Sequence, residues 1–87
     1  MTAPVADLAA AMVAALEETA MEASGGAVTL VSVTLDVTGP VGGGGDTPPV
    51  FEAAIDRKTR SLIFLNARAM AGAGPVMTGT AIFSLTP

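Results

Sequence analysis

The spacing of apolar residues changes at Gly25-Gly26, and this change limits the fold class more than any other feature of the chain. Before the glycine pair, Val5, Leu8, Met12, Val13 and Leu16 recur at intervals of three and four, which puts one buried stripe on an α-helix. After it the pattern alternates, with Val31, Val33, Leu35 and Val37 on one face and Ser32, Thr34 and Asp36 largely on the other, as in a half-buried strand over Ala27 to Val37. The helix is predicted from Pro4 to about Ala23. Thr2 or Ala3 stands where a cap belongs, Pro4 suits the first turn, Asp7 complements the positive end of the dipole, and the glycines end the element. At 100° per residue Asp7, Glu18 and Glu22 fall opposite the apolar stripe, with Glu17 nearer one flank, so the carboxylates should face water.

Gly39, Pro40, the run Gly42 to Gly45 and Pro48-Pro49 read as a connection that can join neither flanking strand. The run has no Lys-Ser/Thr ending and no helix after it, which excludes a phosphate cradle of the P-loop kind. Three more strands are predicted, over Val50–Arg57, Arg60–Met70 and Val76–Leu85, each rich in Val, Ile, Phe or Thr. Their linkers, Arg57 to Thr59 and Ala71 to Gly74, are short enough to force antiparallel neighbours. The expected architecture is therefore α+β, one long N-terminal helix packed on a four-stranded antiparallel sheet. A helix covers only one face of such a sheet and leaves its edges unpaired.

At 87 residues the chain has room for one core, so residues 1–87 form a single domain. A 51% hydrophobic content and a mean hydropathy of +0.62 exceed what so small a domain can bury, and a homodimer or homotetramer is expected to take up the surplus. The absence of Cys and His removes thiolate and imidazole ligands, a cysteine nucleophile and a Ser-His-Asp triad, so no metal and no cofactor are expected. Any catalysis must use carboxylates, backbone N–H groups and water. With no Trp or Tyr and only three Phe, platforms for stacking nucleic acid bases are poorly supplied, and no nucleic acid partner is expected. No apolar run approaches the roughly 20 residues of a membrane helix and no basic region opens the chain, which predicts a cytoplasmic protein without a membrane partner. The net charge is -4, yet the only basic residues, Arg57, Lys58, Arg60 and Arg68, share one twelve-residue window. Such a window is a solvated turn or, more specifically, an anion or phosphate contact.

The order helix, strand, glycine-rich loop and three-strand meander resembles the hot-dog fold of acyl-CoA thioesterases, particularly the phenylacetyl-CoA thioesterase type. Residues Val50 to Phe64 are similar to that family's hairpin of apolar strand, basic turn and apolar strand. Val76-Met77-Thr78-Gly79-Thr80-Ala81-Ile82-Phe83 resembles its closing strand. The resemblance covers roughly residues 5 to 85 of a shortened hot-dog domain. Leu16-Glu17-Glu18-Thr19-Ala20 occupies the place of the family's catalytic helix segment, and this implies Glu18, with Thr19 beside it, as the catalytic pair. The implied role is a carboxylate that positions or deprotonates water, or attacks directly, while a backbone N–H at a helix start polarises the thioester carbonyl. The resemblance also implies that Arg57, Lys58 and Arg60 meet the phosphates of CoA or an acyl-CoA.

The chain departs from the family at the helix entrance, where an Asn, Gln or His with glycines supplies the oxyanion donor; the matching positions here read Leu8-Ala9-Ala10-Ala11-Met12. One such donor is worth about 2.7 to 4 kcal/mol, so thioesterase activity is expected to be reduced or absent. Three functional readings fit these residues: a hydrolase using Glu18 in a site shared between subunits, a non-catalytic CoA or acyl-binding module, and a structural self-assembling domain. A cystatin-like domain would also place a helix on a four-stranded meander. In the hot-dog arrangement the first strand after the helix should instead lie between others, with the sheet wrapped around an alanine-rich, thin helix.

Overall fold

The structure, a computed structural model, describes residues 4–39, 49–71 and 74–85, without the side chains of Pro4 and Val5. The predicted caps Thr2 and Ala3 and the run Gly42–Gly45 with Pro48 lie outside the described residues. Helix α1 spans Pro4–Ser24 and buries Leu8, Met12, Leu16 and Ala20. Steps of four residues advance 40° past a full turn, so this stripe winds slowly around the helix and follows an oblique path across a twisted sheet. The helix ends where Gly25 takes φ +75° and donates its N–H to the Met21 carbonyl at 2.9 Å. Ser24 Oγ accepts the next N–H, that of Gly26, at 3.2 Å. A Cβ at position 25 would touch nothing within 4 Å, so the cost of adding one is conformational alone. Gly25→Ala is expected to lower stability by about 1 kcal/mol, read as a lower urea midpoint at unchanged slope.

Four strands follow: β1 Val28–Val37, β2 Val50–Lys58, β3 Leu62–Ala71 and β4 Gly74–Leu85. All pairs are antiparallel and the order across the sheet is β1-β4-β3-β2. The expected β2-β3-β4 meander is present. Thr59 closes the first hairpin, donating its N–H to the Leu62 carbonyl at 2.7 Å while its Oγ1 accepts the Leu62 N–H at 3.0 Å. Strand β1 pairs with β4 and not with β2, which excludes a continuous four-strand meander of the cystatin kind.

Two expectations are corrected. The first strand after the helix lies at an edge and not between others, because no further strand among the described residues covers its outer side. The meander leaves two free edges, one on β4 and one on β2, and β1 takes that of β4. There Val28, Leu30, Val33, Leu35 and Val37 come level with Leu85, Phe83, Ala81, Gly79 and Met77. The β2 edge, with Glu52, Asp56, Arg57 and Lys58, offers no such apolar match. Reaching it separates β1 from β2 by three strand spacings, about 14 Å. The strict alternation expected in β1 is also broken: the register shifts between Leu30 and Ser32, so Leu30 and not Val31 lies opposite Phe83. Val31 is the extra residue of a bulge and stands 57% exposed.

The core is the single layer between α1 and the sheet. Ile63, Leu65, Ala67 and Ala69 of β3 and Met77, Gly79, Ala81 and Phe83 of β4 point into it, alternating with residues on the opposite face. Gly79 permits the closest approach, since a Cβ there would stand 2.7 Å from Leu35 Cδ2 and 3.7 Å from Met12 Cγ. The sheet does not wrap the helix. Ala20 is buried and Ala9 and Ala15 are half-buried, but Ala10, Ala11 and Ala14 are exposed, because one four-stranded layer reaches only one side of a helix.

Candidate functional site

The carboxylates of α1 stand as the periodicity required: Asp7, Glu17, Glu18 and Glu22 are all exposed. Glu18 borders a shallow depression on the solvent side of the helix, shared with Ala14, Glu17, Met21, Glu22 and Gly25. Met21 gives it an apolar floor that is 44% exposed. Thr19 lies about 100° further round the helix and is half-buried. Its Oγ1 donates to the Ala15 carbonyl at 2.9 Å, so the hydroxyl is occupied by its own helix. The Thr19 hydroxyl is therefore turned to the helix backbone and is not paired with Glu18.

The basic turn arrives at the same end of the molecule from 35 residues away. Lys58 Nζ donates to the Ala23 carbonyl at 3.0 Å. Helix α1 has no basic residue in its last turn, and Lys58 supplies from the sheet the cation that the negative end of the helix favours. Ala23 is five residues beyond Glu18, about 7.5 Å along the axis. The contact thus joins a carboxylate-rich helix end to the β2-β3 turn. Lys58→Met is expected to lower stability by about 0.5 kcal/mol, and the difference should shrink in high salt.

The three basic candidates do not form one cluster. Across the hairpin Lys58 lies opposite Ile63, on the helix side of the sheet, whereas Arg57 lies opposite Phe64, on the other face; the β2 register shifts between Ile55 and Arg57. Arg60 is exposed in the turn. Arg68, the fourth basic residue, leaves the group altogether: its Nε donates to Glu52 Oε1 at 2.8 Å on the sheet face away from the helix.

That outer face carries a second depression, about 400 Å³, which the sequence reading did not identify. Asp36, Glu52, Asn66, Arg68, Thr78 and Thr80 line it. Asn66 Nδ2 donates to Asp56 Oδ1 beside it. The available signal was the alternation itself: in β3 and β4 the polar residues Asn66, Arg68, Thr78 and Thr80 occupy the positions between buried ones. Which strands stand side by side, and hence which polar residues meet, is absent from that pattern.

The stretch Leu8–Met12 lies inside α1, so its backbone N–H groups belong to the helical ladder; Leu8 and Met12 are buried. No side chain in it can hold an oxyanion.

In a comparison with solved structures, the chain superposes on a protein of the thioesterase superfamily with a TM-score of 0.80, over 99% of this chain and 68% of that one, at 19% identity. The fold is that of a thioesterase-superfamily protein. A protein from Chromobacterium violaceum matches with a TM-score of 0.72 at 22% identity, and a conserved protein from Pseudomonas aeruginosa with 0.67 at 14% identity. The chain covers 56% of the length of the first of these and 64% of the second. No family model and no curated protein matches the sequence. The shortened hot-dog arrangement, one helix on a four-stranded antiparallel sheet, is what these neighbours share with it. Among the described residues no helix is long and apolar enough to cross a membrane.

Proposed function

We propose that this chain is a thioesterase-like hot-dog protein that binds acyl-CoA thioesters at the end of α1 where Glu18 and the basic turn meet. The Lys58–Ala23 contact carries the reading, because it brings the β2-β3 turn to the end of α1 that bears the candidate carboxylate. Arg57 and Arg60, free of the helix, meet the phosphates of CoA, and Glu18 faces the thioester from a cleft completed by a second copy of the chain in a homodimer or homotetramer. Glu18 positions or deprotonates the attacking water. With Leu8–Met12 supplying no oxyanion donor, hydrolysis is slow by about two to three orders of magnitude relative to a site that has one.

Incubation with a panel of acyl-CoAs while free thiol is monitored, together with thermal unfolding in the presence of CoA, tests the proposal. CoA should raise the melting temperature, since a ligand that binds only the folded state stabilises it. Thiol release should be weak and should fall further in Glu18→Gln. A melting temperature indifferent to high CoA, with no thiol release, would leave only the structural self-assembly reading. Turnover at wild-type rate in Glu18→Gln would remove that residue from the chemistry.

A further inference from the structure

Helix α1 carries an apolar line on the side turned away from its core. Ala10, Ala14 and Met21 all fall within about 40° of the direction opposite the buried Leu8, Met12, Leu16 and Ala20. On a helix packed by one face, charged side chains are expected in that direction. Ala10 and Ala14 are exposed and Met21 is 44% exposed, whereas the other methionine of the helix, Met12, is wholly buried.

The charges of the helix stand beside this line. Glu17 precedes Met21 by four residues and Glu18 precedes it by three, so both are its surface neighbours, one on each flank, and Glu22 lies beyond Glu18. The depression over Met21 measures about 430 Å³ and is lined by these carboxylates with Ala14, Gly25 and Gly26; among the described residues no basic one lines it. The ammonium group of Lys58, close by, is turned to the Ala23 carbonyl at the C-terminal end of the helix, where the dipole is itself negative. An apolar floor, an anionic rim and a negative helix end together disfavour an anion and accept an uncharged chain.

We propose that this depression seats the acyl group of the thioester and selects uncharged acyl groups, with Met21 as the contact surface and Glu17 and Glu22 as the residues that turn anionic acyl groups away. This rests on the acyl-CoA reading above and adds to it the class of acyl group. Glu17 and Glu22 touch no reacting atom; they act on specificity through charge, while Glu18 keeps its role toward water. At roughly 7 Å from each of three carboxylates, a carboxylate at the far end of the acyl chain loses about tenfold in affinity at low ionic strength, or about twofold for each glutamate. All three glutamates are exposed, so salt screens the penalty.

Calorimetric titration of pentanoyl-CoA, glutaryl-CoA and CoA itself tests the selection. The two thioesters have equal numbers of acyl carbons and differ at the far end, methyl against carboxylate, and the phosphates common to all three ligands cancel in the comparison. Pentanoyl-CoA should bind about tenfold more tightly than glutaryl-CoA at low salt, and the ratio should shrink to about twofold in high salt. In E17Q/E22Q the ratio should be about twofold at low salt as well, through tighter binding of glutaryl-CoA with pentanoyl-CoA unchanged. Met21→Gln keeps the length of the side chain and removes its apolar surface, so pentanoyl-CoA should then bind no more tightly than CoA. Both changes put good helix formers at exposed positions, so the fold should be kept. Equal affinity for the two thioesters, a ratio that E17Q/E22Q leaves unchanged, or an advantage of pentanoyl-CoA over CoA that survives Met21→Gln would overturn the selection while the acyl-CoA reading stands. Failure to bind CoA and both thioesters would overturn the acyl-CoA reading and the selection with it.

Discussion

Phe83→Ala is expected to lower the free energy of unfolding by about 3 to 5 kcal/mol. The side chain is wholly inaccessible and stands on β4, a central strand, with Leu30 of β1 on one side and Ile63 of β3 on the other. Helix α1 crosses above it. Rigid neighbours on both strands cannot collapse into the space left by a phenyl ring, so the cavity cost adds to the lost burial. A domain of this length is held by about 4 to 13 kcal/mol in all, so the variant should be largely unfolded or have a far lower urea midpoint. Ile82, the adjacent residue, points to the opposite face and is only half-buried, and Ile82→Ala should cost clearly less. Equal losses at the two positions would contradict the assignment of the core to the helix side of the sheet.

Reversing the basic turn with R57E/R60E should weaken CoA binding by about 100-fold. A hydrogen bond to a charged group contributes about 1.5 to 3 kcal/mol, and losing two of the weaker kind is about 3 kcal/mol, or two decades in affinity. Both side chains are exposed and neither has a partner among the described hydrogen bonds, so the fold should tolerate the change. Lys58 is kept because its ammonium group holds the Ala23 carbonyl, and altering it would mix stability with binding. Calorimetric titration of CoA at low and high salt checks the prediction: the wild-type affinity should fall with salt and the variant should show little left to lose. An unchanged affinity would place the phosphates elsewhere, and the outer-face depression around Arg68 would be the next position to test.

The candidate site was legible only in pieces. Glu18 stands on the solvent side of α1 because helix periodicity alone fixes the face of each residue, and the same rule places Asp7, Glu17 and Glu22. The four basic residues, which share one twelve-residue window of the sequence, part company in three dimensions. A strand turns successive side chains to opposite faces, so Arg57 and Lys58 cannot share a surface, and β3 carries Arg68 away to Glu52. Thr19 stood beside Glu18 in the sequence, yet its hydroxyl is engaged with the turn below it.

What the sequence determined by itself is the type and order of the elements: α1 from its three-and-four spacing and terminal glycines, the strands from alternation, and the β2-β3-β4 meander from linkers too short for any other connection. These follow from backbone geometry within a few residues of each position. Tertiary structure alone decided that β1 lies outside β4, that Val31 is expelled as a bulge so that Leu30 can reach Phe83, and that Lys58 closes the end of α1. Each depends on which surfaces meet after the chain returns across a long connection. Closing a longer loop costs only slightly more than closing a shorter one, so burial and charge at the meeting edges choose the partner.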